Sequence, residues 1–291
     1  MTLNLTDYTR KLRLTDGAWG TQLQSLGLPP GTPPELWNTA NPDAVRQVAR
    51  SYIQAGSDVI LTNTFGANRY ILAQHGAEDR AAELAETGAT ISREVAGDGA
   101  KVFASIGPTG KIVMMGEASE EDLSAAFAEA AQALCRGGAD AIILETFNEL
   151  DESVLAVKAV TAVVDVPVVM SMTFASGPDQ TATMMGNTPA DLAAAAVSCS
   201  AAAVGANCGA GPDNYVKVAG LLAQATDLPV WIKANAGLPV VVDGKTTFPM
   251  APQEFAAFAA PLAGAGANFI GGCCGTSPDH IQALREAIDA L

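Results

Sequence analysis

Glu120–Phe147 reads EEDLSAAFAEAAQALCRGGADAIILETF. Its first part, Glu120 to Gly137, is alanine-rich with an acidic first turn, and it ends at the first of two consecutive glycines. Acids at the start and glycine at the end are what an α-helix asks of its termini. The second part, Ala139 to Glu145, is a short run of apolar, partly β-branched residues that ends in a carboxylate. A run of this length bounded by glycine predicts a strand buried on both faces, as in a parallel sheet.

The same helix-then-strand unit recurs along the chain. Strands are predicted at Leu12 to Asp16, Ser57 to Asn63, Val102 to Ile106, Ala139 to Glu145, Val166 to Thr173, Ala202 to Asn207, Pro229 to Asn235 and Ala267 to Gly272. Helices are predicted at Pro42 to Ala55, Glu78 to Val95, Glu120 to Gly137, Leu150 to Val163, Pro189 to Ser198, Pro212 to Ala225, Pro252 to Gly264 and Pro278 to Ala290. Proline opens several of them, as in NPDAV, NTPADL and SPDHI, where its missing N–H costs nothing. Pro261 inside the seventh stretch predicts a kink or an early end. Eight alternating units in 291 residues predict a single-domain α/β fold, a closed (β/α)8 barrel over residues 1–291. The rival is an open doubly wound sheet. It would carry GxGxxG after the first strand, where this chain has DGAWGTQLQ.

In such a barrel the C-terminal strand ends share one mouth, and the functional groups gather there. Strand by strand those ends are Asp16-Gly17, Thr62-Asn63-Thr64, Ser105-Ile106-Gly107, Glu145-Thr146, Asn207-Cys208-Gly209, Asn235-Ala236-Gly237 and Gly272-Cys273-Cys274-Gly275. Cys208 and the Cys273–Cys274 pair therefore converge although 65 residues of sequence separate Cys208 from Cys273. Three thiolates suit Zn²⁺, and three protein ligands leave one position open for a substrate. The same three residues also fit buried thiols acting as small hydrophobes. Adjacent cysteines, with Cα atoms about 3.8 Å apart, are poorly placed to bridge each other. Cys135 and Cys199 fall in helical stretches and are expected in the core. Asp16 and Glu145 each need a partner if buried; a substrate ammonium, an ion pair or a loop cap all fit. His75 and His280 lie away from the strand ends and are expected at the surface, so a histidine-based triad is not expected.

Composition narrows the rest. Sixteen basic residues against 31 acidic ones give a formal charge of −15, which disfavours nucleic acid and anionic membranes. Five cysteines in a long chain argue against a disulfide framework. Neither a signal peptide nor an apolar run long enough to span a bilayer is apparent, and the expected compartment is the cytoplasm.

The stretches DGAWGTQLQ, AGSDVILTNTFGANR, IGPTG, GADAIILETF, GANCGAGP, KANAGLP and GGCCGTSPDHI together resemble the homocysteine S-methyltransferase family, from Asp16 to Ile281. The likeness is greatest to the homocysteine-binding module of cobalamin-dependent methionine synthases. Betaine–homocysteine and S-methylmethionine–homocysteine methyltransferases are more distant relatives by the same motifs. The resemblance implies a zinc site at Cys208, Cys273 and Cys274, with Asn235 as fourth ligand when substrate is absent. It implies homocysteine binding in which Asp16 and Glu145 hold the amino group. The amides of Gly17 and Ala18 would meet the carboxylate, and Thr64 and Ser105 would line the pocket. The implied activity is methyl transfer to the homocysteine thiol, forming methionine. The sequence has no DxHxxG cobalamin signature and ends at Leu291, after the eighth helix. The donor is therefore either a small onium compound or a methyl-corrinoid protein, and the alternative function is a homocysteine- and zinc-binding module that is inactive without that partner.

Overall fold

The computed structural model describes residues 2–242 and 245–291. Eight of its strands form one sheet: β1 (Arg13–Leu14), β2 (Val59–Ile60), β3 (Lys101–Ile106), β4 (Ala141–Phe147), β5 (Val168–Met172), β6 (Ala203–Cys208), β7 (Val230–Ala234) and β10 (Ala267–Gly272). Their order is β1-β10-β7-β6-β5-β4-β3-β2, with parallel pairing throughout. The end strands meet at a parallel bridge between Thr15 and Val59, which closes the (β/α)8 barrel. The remaining two strands, β8 (Val240–Val242) and β9 (Lys245–Thr247), form an antiparallel hairpin in the loop after β7.

β1 and β2 are much shorter than the predicted Leu12 to Asp16 and Ser57 to Asn63, and the cause is local. The Asp58 carboxylate accepts the Leu14 N–H at 2.8 Å, and the Asp16 carboxylate accepts the Leu61 N–H at 2.7 Å. Side chains thus take over bonds that a longer ladder would make. The predicted Glu78 to Val95 helix begins as a 3-10 turn at Glu78–Arg80 and continues as an α-helix over Ala81–Ala96. The seventh helical stretch is two helices, Pro252–Ala256 and Ala259–Gly264. Pro261 lies in the first turn of the second, where no N–H is needed, so the break falls before the proline.

Inside the barrel, Phe103, Trp231 and Phe269 pack with ring centroids 5.0–5.7 Å apart and close its lower part. All three are fully buried. Around the sheet, helices Pro42–Gln54, Ala81–Ala96 and Glu120–Arg136 turn small apolar faces inward: Ala44, Ala49, Ala85, Ala89, Ala130 and Ala131 are buried. Small residues let the helices lie close to the sheet. No helix among the described residues is long and apolar enough to cross a membrane.

His280 is buried, contrary to the surface position expected for it. Its Nδ1 lies 2.9 Å from Ser277 Oγ and its Nε2 3.0 Å from the Met250 carbonyl, so it joins a helix start to the segment that follows β9. His75 is exposed, Cys199 is buried and Cys135 is half-buried.

Candidate metal centre and substrate cavity

Cys208 ends β6 in a left-handed backbone conformation, φ 64°, followed by Gly209 at φ 59°. For a residue with a Cβ this conformation is strained, and such strain persists only where the surroundings enforce it. Here the Tyr215 hydroxyl lies 2.7 Å from the Cys208 carbonyl and 2.9 Å from that of Asn207. The turn carries the thiol toward the strand-end loop after β10. That loop is sewn to β7: the Cys273 N–H donates to Ala234 O at 2.7 Å, and the Ala236 N–H donates to Cys274 O at 3.0 Å. The Thr276 hydroxyl donates to Cys273 O at 2.7 Å.

The three sulfur atoms lie within 4.8 Å of one another, and Cys208 Sγ is 4.0 Å from Cys274 Sγ. A tetrahedral ion with metal–sulfur bonds of about 2.3 Å needs sulfurs about 3.8 Å apart. Asn235 lies beside them. Its Nδ2 donates to Gly209 O at 3.3 Å, while its Oδ1 is buried without a partner. An orphaned acceptor next to three converging thiols suits a cation. Without one, the thiols share their protons unevenly. Hydrogen bonds from Cys273 and Cys274 hold the Cys208 thiol down at about 3. The contact with Cys208 pushes Cys274 up to about 12, and both neighbouring thiols and burial raise Cys273 well above its ordinary value. One thiolate held by two S–H groups is a site that a divalent cation would complete.

A cavity of about 420 Å³ opens above these sulfurs at the C-terminal strand ends. Gly17, Ala18, Thr64, Ser105 and Glu145 all line it, together with Cys208, Cys273 and Cys274. Glu145 sits in a bulge of β4: Leu144 pairs with Met170 and Phe147 with Met172, so β4 has one residue more than its partner. Thr146 takes φ 67° there. Ser105 Oγ donates to Glu145 Oε1 at 2.5 Å, and Asn207 Nδ2 reaches Oε2 at 3.4 Å. Asn207 itself is fixed by the Ser171 hydroxyl at 2.7 Å and the Thr146 N–H at 2.9 Å. Burial pushes the Glu145 carboxyl up to about 7, against the opposing pull of Lys233 and Ser105.

Asp16 is placed differently. It is fully buried and lies behind the cavity wall. Its Oδ2 accepts from Trp19 Nε1 and Leu61 N, both at 2.7 Å, and its Oδ1 accepts from Lys233 Nζ. The Lys233 ammonium thus already shares the Asp16 carboxylate, which was expected to meet a substrate amino group. The Ala18 N–H is likewise engaged, donating to Thr276 Oγ1 at 3.1 Å. Gly17 is held in close quarters: a Cβ there would stand 2.7 Å from Thr276 Oγ1 and 2.8 Å from Tyr52 Oη.

Lys233, Glu35 and Trp19, which the sequence did not single out, also line the cavity, as does Thr62 at the end of the second strand. Lys233 had a signal, a lone cation within the apolar run VWIKA. Glu35 had none; it lies in a 3-10 turn, is buried, and accepts the Gly66 N–H at 2.7 Å. Burial raises its carboxyl above the ordinary range.

The homocysteine S-methyltransferase profile matches residues 13–288. The chain belongs to the homocysteine S-methyltransferase family. Within that enzyme family, it is 33% identical to a methionine synthase of Mycobacterium leprae (strain TN), over 96% of this chain and 24% of that protein. A methionine synthase of Mycobacterium tuberculosis (strain ATCC 25618 / H37Rv) is also 33% identical, over 96% of this chain and 25% of that protein. The chain thus spans about a quarter of the length of these relatives. Among solved structures it resembles the homocysteine methyltransferase MmuM from Escherichia coli in its metallated form, with TM-score 0.80, 24% identity, and coverage of 97% of this chain and 98% of that one. At that identity the likeness speaks for the barrel.

Proposed function

We propose that this homocysteine S-methyltransferase family member catalyses zinc-dependent methyl transfer to the thiol of homocysteine, forming methionine. The observation that carries this reading is the convergence of Cys208, Cys273 and Cys274, beside the orphaned Asn235 Oδ1, on the wall of the cavity that Glu145 also lines. The cavity belongs to a single unit over residues 1–291. When bound, zinc supplies a Lewis acid that lowers the acceptor thiol's pKa from about 8.5 and keeps it nucleophilic at neutral pH.

The chain's own residues do the rest. The three cysteines would hold the ion, with Asn235 as the fourth group before substrate arrives. Glu145, aimed by Ser105 and Asn207, would take the substrate's ammonium. Thr64, whose hydroxyl donates to Ser105 O at 2.7 Å, shapes the wall beside it. Gly17 and Ala18 border the same space. Asp16 acts by positioning, through Trp19 and Lys233. The methyl donor is a small onium compound or a methyl-corrinoid protein. If only the latter serves, the chain is a homocysteine- and zinc-binding module awaiting its partner. The acidic surface agrees with function away from nucleic acid and membranes, in the cytoplasm.

Cys273→Ser tests the centre. It should abolish stoichiometric zinc, measured by elemental analysis, and lower methionine formation by more than about 100-fold. Full zinc and full activity in that variant would end the proposal. Turnover of the unmodified protein with onium donors, against turnover only after adding a methyl-corrinoid protein, separates the two donor classes.

A further inference from the structure

Lys233 is the only basic residue among the described residues that line the cavity; the other ionisable wall residues are Glu35, Glu145 and the three cysteines. It is 1% exposed, on the inward face of β7 with Trp231. Its Nζ reaches Asp16 just past the end of β1, donating to the backbone oxygen at 2.9 Å and to Oδ1. Gly271 on the intervening strand has no room for a side chain: a Cβ there would meet Asp16 O at 2.8 Å and the Thr15 hydroxyl nearer still. An ammonium has three N–H groups. Asp16 takes two of them.

We propose that Lys233 is a specificity-determining residue that makes the cavity select an α-amino acid thiol. It withdraws Asp16 from competition for the substrate's ammonium, so that Glu145 alone receives that group. It offers its remaining N–H to the substrate's carboxylate. The proposal rests on the reading of the cavity as a thiol-substrate site. Electrostatics supports it. A carboxylate entering a space walled by the two acids Glu35 and Glu145 is favoured by a cation, and the Ala18 amide is already bonded to Thr276. Lys233 and the ionised form of Glu145 present opposite charges that match the two charges of an amino acid head group. The sulfur end is then left to Cys208, Cys273 and Cys274. A thiol with an amine and no carboxylate leaves Lys233 unanswered, and a thiol with a carboxylate and no amine leaves Glu145 unanswered. Either mismatch strands a desolvated charge, the strongest discrimination a small site can exert.

The test is calorimetric titration of the zinc-loaded protein with homocysteine, 3-aminopropane-1-thiol and 4-sulfanylbutanoate. The native protein should bind homocysteine at least about 30-fold more tightly than either analogue. The paired variant Asp16→Asn/Lys233→Met removes both buried charges together and so avoids leaving one unpaired. In it the preference for homocysteine over 3-aminopropane-1-thiol should fall to within about 3-fold, with zinc content and melting temperature retained. An unchanged preference in a folded, zinc-replete variant would reduce Lys233 to a structural partner of Asp16 and overturn the proposal. Equal binding of homocysteine and 3-aminopropane-1-thiol by the native protein would overturn it without any variant. Failure of the native protein to bind any of the three thiols would instead remove the thiol-site reading itself.

Discussion

Cys208 holds a conformation that glycine would hold more easily, and the thiol is what the strain obtains. Cys208→Gly should therefore leave the metal-free protein within about 1 kcal/mol of its original stability while losing the metal. Denaturant unfolding of the chelated protein, set beside metal analysis, checks both halves. Glu145 gives a pH signature. Its ordinary carboxyl value of 4.5 rises to about 7 through burial. The folded state therefore keeps a proton that the unfolded chain has released. This group's contribution to stability is fully present below 4.5 and is lost as pH rises through about 7. Ligand binding runs the other way, because an ammonium wants the ionised form. Affinity for norleucine, an amino acid head without sulfur, should rise several-fold between about pH 6 and about pH 8. In Glu145→Gln it should be weak and flat, and a retained pH slope there would assign the titration to another group. At this scale the cysteines and Glu145 were legible because each stands at a strand end. The full burial of Asp16 and its pairing with Lys233 were not. Both depend on which alternate positions of nearly continuous apolar strands face inward, and on a contact between residues 217 apart in sequence.

Among the elements, β10 at Ala267–Gly272 and the helices at Pro189–Ser198 and Pro212–Ala225 lie where local chemistry predicts them. Glycine and proline boundaries made those edges readable. The short β1 and β2 were not readable, because the bonds that end them come from the side chains of Asp16 and Asp58, not from the residues' own strand preference. The β8–β9 hairpin did carry a cue in VVVDGKTT, an Asp-Gly pair between β-rich runs, that the eight-unit reading passed over. The helix break ahead of Pro261 has its own test. Because the proline sits where its N–H is not required, Pro261→Ala should change stability by no more than about 1 kcal/mol and should not fuse the two short helices. A large gain in helical circular dichroism would contradict that account.

For the molecule as a whole, the metal should act as a staple between β6, β7 and β10. A cation at about 1,000 times its dissociation constant adds about 4 kcal/mol to the folded state if it ignores the unfolded one. At about 2 °C per kcal/mol for a chain of this size, chelation should lower the melting temperature by roughly 8 °C. No shift on chelation would show that the thiols hold nothing. The closed ring itself has an uneven circumference. β4 and β5, or β7 and β10, share several paired residues, whereas β1 and β2 are joined by one bridge, by the Asp58 N–H donating to Leu14 O, and by the carboxylates of Asp58 and Asp16 receiving the N–H groups of Leu14 and Leu61. A side-chain clasp can rotate away without disturbing any neighbouring ladder. In deuterated solvent, then, the amide of Leu14 should exchange its hydrogen ahead of those in the middle of β4, although Leu14 is as deeply buried as any residue in the protein. Slow passage of solvent through the barrel wall, if it occurs anywhere, has its gate at that clasp.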